Sequence, residues 1–199
     1  MTLLPEHDQN AHLLIDLFLN TRATHLGKVD NFFSVLFDWR CPCCFRSKRD
    51  FARLDKNGGL LCSIHSHHDH FVRHLKKCEG EPAAWAALWN SCVRFPDTLI
   101  CGDCNVAEAA AKNKVDAPEN FSFAPYEIAN FIEVHPNQAN EVNAALAQET
   151  YAAAVPAMSL IAKRVRAITS AARGSEGGWE PIGDVAARLV QERGLKLVK

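Results

Sequence analysis

Two thiol pairs, Cys41-Pro-Cys43-Cys44 and Cys101-Gly-Asp-Cys104, constrain this chain more than any other feature. A C-x-x-C pair sets two thiolates on one tight turn, and two such turns can close a sulfur tetrahedron around zinc at about 2.3 Å. Residues 45–100 separate the pairs, too long a stretch for a simple finger, so a subdomain must form between them. All eight cysteines fall between Trp39 and Asn105. The N-terminus "MTLLPEHDQNAHLL" lacks the basic start of a secretory leader, so thiolates held by structural zinc in a reducing cytoplasm are expected rather than disulfides.

Spacing favours Cys41 and Cys44 over Cys43 as ligands. It leaves a rival set open, because Cys62-Ser-Ile-His65 is also a metal-binding knuckle and could join Cys41 and Cys44 in a zinc ribbon. His74 and Cys78 could complete a second site with Cys62 and His65. Cys92, in an apolar helical-looking stretch, reads as core.

Around this centre the pattern is helical. Residues 8–37 carry apolar side chains at three- and four-residue spacing in "AHLLIDLFLN" and "VDNFFSVLF", with Gly27 as the break between two helices. "DKNGG" predicts a turn between short segments. A helix is expected from "NVAEAAAKNK", another from Pro125 at a favoured first-turn position, and a long alanine-rich one over about 139–172, bent or split at Pro156. "GSEGGWEP" reads as a linker before a last short helix ending at Gly194. The division expected is a helical segment over 1–37, a zinc-stabilised core over 38–115 and a helical region over 116–199, an α+β chain.

Five of the nine histidines fall within residues 65–74, four of them with Asp69 in "HSHHDH". Histidine titrates near neutral pH and ligates metals, so such a cluster suits hydrolysis of a phosphodiester: one group deprotonates water while a cation offsets developing charge. In a strand, residues 67 and 69 share one face and 68 and 70 the other. Ligand and base must then differ by one position, or the strand must end inside the cluster.

C-x-x-C, then "HSHHDH", then "LICGDCNVAEAAAK" resembles the HNH (ββα-metal) nucleases, most closely the phage recombination endonuclease VII group. The resemblance covers roughly residues 40–112. It implies a small zinc-stabilised ββα-metal core, flanked here by N- and C-terminal helices. It implies structural zinc on Cys41, Cys44, Cys101 and Cys104, and His68 as general base. His67 and Asn105 would hold a catalytic magnesium or other divalent ion, with His65 and His70 assisting. Histidine stands at 67 where the family usually has aspartate, and "KKCEGEPAAWAALWNSCVRFPD" inserts a helix between the two strands. A second frame takes Asp69 as ligand and His70 as base. Asn105 also reads as an N-cap for the helix that follows.

The partner implied is DNA. The net charge of −1 gives no global attraction to nucleic acid, so contacts must come from local runs. Arg46, Lys48, Arg49 and Arg53 lie by the first knuckle, and Arg73, Lys76 and Lys77 follow the histidines; both runs bracket the expected site. Lys163, Arg164 and Arg166 read as one face of an amphipathic helix. The long alanine-rich helix offers a face for a homodimer. No apolar run reaches the roughly 18 residues of a membrane span. A zinc-binding adaptor without catalysis is the competing expectation.

Overall fold

The computed structural model describes residues 6–73 and 92–172, and the side chains of Ile168, Thr169 and Ala172 are outside that description. The chain forms a mixed α+β structure of short strands and helices in two compact units. Of the described residues, one unit holds those up to His68 together with Asp97–Tyr151; the other holds those between Asp69 and Pro96 and those from Ala152 on.

In the first unit, helix α1 (Glu6–Thr21) buries Asn10, Leu13 and Leu17 on one face, and carries Glu6 and Asp8 at its positive N-terminal end. It stops at Arg22, whose φ of 56° is left-handed. Strand β1 (His25–Leu26) follows, then a 3-10 turn at Phe32–Ser34. The second helix expected from "VDNFFSVLF" does not form. Lys28 and Asp30 give their carbonyls to the N–H groups of Cys62 and Ile64, both at 2.8 Å, and Asn31 sits at φ 55°. Those long-range bonds hold the segment extended, and an apolar repeat cannot overrule them.

Helix α2 (Lys48–Phe51) is a single turn closed by a capping box between Ser47 and Asp50. Strands β2 (Arg53–Leu54) and β3 (Gly59–Leu61) form a hairpin around the turn expected at "DKNGG". Asp55 Oδ1 accepts from the N–H groups of Asn57 and Gly59, and Gly58 takes the left-handed φ of 82° that the turn requires. β1 joins β3 in parallel, giving the order β1-β3-β2.

The site rests on the next three elements. Strand β4 (Ile64–His67) pairs antiparallel with β5 (Thr98–Cys101), from Ile64 opposite Cys101 to His67 opposite Thr98. β5 passes without a break into helix α3 (Gly102–Lys114). Cys104, Ala107, Glu108 and Ala111 form the helix's buried stripe at three- and four-residue spacing. The helix begins at Gly102, N-capped by Cys101, three residues before Asn105. Asn105 is therefore inside the helix, and its expected capping role is corrected.

Phe121 and Phe123, both fully buried, anchor the loop after α3, their rings edge to face at 4.7 Å. Helix α4 (Pro125–Phe131) opens on proline as expected, and Glu127 Oε2 accepts from Ala124 N at 2.7 Å. It ends where β6 (Ile132–Glu133) pairs with β7 (Glu141–Val142). Helix α5 (Ala144–Ala172), containing Pro156, starts later than the composition implies because Glu141 and Val142 are in a strand. Asn143 caps it, its Oδ1 accepting from Ala145 N and Leu146 N.

In the second unit the chain turns helical at His70, and Ala154, Met158, Ala162 and Val165 of α5 are buried at helical spacing. No helix among the described residues is long and apolar enough to cross a membrane. Lys76, Lys77, His74, Cys78, the inserted helix, the linker and the last short helix lie outside the described residues.

Candidate metal centre and adjoining cleft

The first knuckle is a tight turn. Phe45, at φ 58°, donates its N–H to Cys41 O, and Cys41 N donates to Arg46 O. The second knuckle is the junction of β5 and α3. Together they bring the Sγ atoms of Cys41, Cys44, Cys101 and Cys104 within 4.8 Å of one another. Cys41 and Cys104 stand 3.7 Å apart, as do Cys44 and Cys101. A tetrahedron with metal–sulfur bonds of about 2.3 Å has sulfur–sulfur edges of about 3.8 Å, whereas a disulfide needs about 2.05 Å. The donor set, its spacing and its burial fit a metal such as zinc, held by these four residues. Among the described residues no other group of three or more histidine, cysteine or acidic side chains gathers this way. The rival ribbon set is not assembled: Cys62 is a buried thiol, and burial pushes its pKa up to about 12. Cys43 is buried but outside the cluster.

Polar groups aimed at the sulfurs come from both near and distant parts of the chain. Arg46 Nε donates to Cys44 Sγ at 3.4 Å, Asn140 Nδ2 to Cys104 Sγ at 3.2 Å, and Cys101 N to Cys41 Sγ at 3.3 Å. Hydrogen bonds from Cys101 hold the Cys41 thiol far below its ordinary range and bring Cys44 down to about 7. Arg46 also donates to His135 O and Gln138 O in the loop between β6 and β7, and to Asn140 Oδ1 and Asp103 Oδ2. Burial opposes its charge, but the neighbouring Cys44 thiolate and Asp103 hold its proton more tightly than usual. Asp103 takes Arg53 Nε on its other oxygen at 2.9 Å. Four thiolates around a divalent ion carry a net charge of −2, and this buried guanidinium offsets part of it. Sequence reasoning missed Asn140 and the sulfur-facing role of Arg46. The only local hint was Arg46 two residues after Cys44.

The basic run at the first knuckle is corrected accordingly. Arg46 is 5% exposed and Lys48 1%, and both serve internal acceptors. Lys48 donates to Asn10 Oδ1, Phe32 O and Val35 O, and its ammonium lies over the Phe32 ring. Neither can reach a phosphate. Arg49 is on the surface, paired with Asp16, and Arg73 is exposed.

The histidine string divides. His65 and His67 lie on β4, and His68 follows the strand's end, half-buried. His67 is buried, and its Nε2 lies 2.6 Å from Phe123 O. A carbonyl only accepts, so Nε2 carries the proton and Nδ1 the lone pair. Phe123 is itself positioned through its N–H, which donates to Glu108 Oε1 at 3.3 Å; burial raises the Glu108 pKa. In the second unit, Asp69 is buried and its two oxygens accept from Phe71 N and Arg94 N, the first as a helix cap. His70 is exposed.

Asn105 is half-buried on α3 and opens into a cleft of about 390 Å³ lined also by Lys28, Arg53, Ser63, His65 and Gly102. His65 Nε2 is 3.0 Å from Ser63 Oγ. A Cβ added at Gly102 would lie 2.5 Å from that hydroxyl, so the glycine permits the close approach of helix and strand. His67 does not line this cleft. A larger hollow, about 870 Å³, is walled by Phe33, Leu36 and Trp39 and contains none of the clustered histidines or cysteines.

Compared with known proteins, the chain matches no family model, no curated protein and no solved structure.

Proposed function

We propose that this chain is a metal-dependent DNA endonuclease of the HNH class, with β4, β5 and α3 as its ββα-metal core. The observation that carries the reading is the order of elements at the cysteine cluster. The second strand of an antiparallel pair runs straight into a helix, the thiol pairs lie at that junction, and the histidines sit where β4 ends. Asn105 follows the last cysteine within the helix's first turns.

In this reading His68 accepts a proton from the attacking water, and His67 and Asn105 hold the catalytic cation. Bound there, a divalent ion would offset charge on the transition state and the leaving oxygen. The hydrogen bond from His67 Nε2 to Phe123 O supports the ligand role, since it fixes the tautomer with its lone pair on Nδ1. The work Asp69 does as a helix cap favours His68 over the frame that makes Asp69 a ligand and His70 the base.

One observation favours a non-catalytic zinc adaptor instead: Asn105 shares its cleft with His65 and not with His67. Activity separates the two readings. Zinc-loaded protein given magnesium or manganese should nick supercoiled plasmid. Protein at full zinc content that is inert with every divalent metal tried would leave only the adaptor.

A further inference from the structure

With Arg46 and Lys48 buried, the phosphate contacts that a nuclease needs must come from elsewhere. We infer that the cleft between β4 and the start of α3 is a phosphodiester-binding subsite, with Lys28, Arg53 and Asn105 as its contact residues. The assignment of the phosphodiester to DNA rests on the reading above.

Three polar groups point to a ligand there. Arg53 holds Asp103 through Nε alone; among the described residues its two terminal nitrogens have no acceptor, and the side chain is 23% exposed. Lys28 is exposed, and among the described residues its ammonium pairs with nothing. The half-buried amide of Asn105 has no hydrogen-bond partner among them either. Ser63 Oγ and His65 Nε2 add a hydrogen-bonding pair on the strand side.

The free donors suit an anion. Asp103 is already shared between Arg46 and Arg53, and Asp55 directs one oxygen to two backbone N–H groups. Both carboxylates that line the cleft are thus engaged within the protein, which leaves the Lys28 ammonium and the terminal nitrogens of Arg53 for a ligand. A planar fork, an ammonium and an amide donor are the groups that bind phosphate oxygens without reading bases.

The experiment is equilibrium binding of a fluorescent DNA duplex to zinc-loaded protein without added magnesium, across a salt series. Lys28→Ala and Arg53→Gln should each weaken binding several-fold and flatten the log–log salt slope by about 0.9, one released phosphate contact apiece. Lys114→Ala, an equal charge loss away from the cleft, should leave the slope unchanged. Arg53→Lys, which keeps the charge but loses the fork, should restore the slope more than the affinity, even if Arg53→Gln disturbs Asp103. Wild-type slopes in both Lys28→Ala and Arg53→Gln would overturn the subsite, as would wild-type protein that binds no DNA. Plasmid nicking by such a protein would leave the nuclease reading standing. Cleft-dependent binding without nicking under any divalent metal would keep the subsite and end the nuclease reading.

Discussion

Arg46 Nε points at Cys44 Sγ from 3.4 Å, while the far end of the same guanidinium is held by Asp103 and the loop before β7. One buried cation thus links the first knuckle, the start of α3 and a hairpin that follows some ninety residues later in the chain. Replacing it with methionine strands a carboxylate, two carbonyls and a thiolate in the interior. Arg46→Met should cost about 3–5 kcal/mol in urea unfolding of the zinc-loaded protein. Its DNA-binding salt slope, corrected for any unfolded fraction, should not change, because the residue never meets solvent phosphate.

The cysteine set makes a stoichiometric prediction. Metal analysis should find one zinc per chain, lost in Cys101→Ser and kept in Cys62→Ser and Cys43→Ser. Chelation should unfold the first unit, since the sulfur cluster ties knuckles separated by residues 45–100. Zinc retained by Cys101→Ser but lost from Cys62→Ser would put the metal on the ribbon set instead.

Much of this centre was legible in the sequence, because a metal site is written in spacing: the two C-x-x-C pairs named their four ligands. The turn at Asp55–Gly58 and the start at Pro125 were legible for the same reason, their chemistry being local. What failed was non-local. "VDNFFSVLF" has helical periodicity, yet its backbone is claimed by the strand region around Cys62 and Ile64. Lys48 looked like surface charge because its acceptors, Asn10, Phe32 and Val35, come from other elements. Asn140 could not be tied to Cys104 by any motif.

Lys48 gives a pH prediction. Burial lowers its pKa to about 8, against 10.5 when unfolded. Below pH 8 both states carry the proton, and the folded state bears the full cost of the buried charge. Between about 8 and 10.5 the unfolded chain binds the extra proton, so this residue's contribution makes stability rise with pH. The unfolding free energy of wild type minus that of Lys48→Met should therefore increase from pH 7.5 to 10.

Glu108 behaves in the opposite sense. Its raised pKa means the folded state holds the proton longer than the unfolded chain, so its contribution is largest in acid and falls as pH rises. Glu108→Gln keeps an oxygen acceptor for Phe123 N without the buried charge, and at pH 7 should match or exceed wild type in melting temperature. Glu108→Ala, which leaves that N–H without its acceptor, should lose about 1–3 kcal/mol.

The most direct test of the central claim is the plasmid-nicking rate of His68→Ala against wild type, each at one zinc per chain and with matched melting temperatures. A general base contributes about 10²–10⁴-fold, so the variant should lose at least about a hundredfold while keeping its zinc. Nicking by His68→Ala at the wild-type rate would contradict the account.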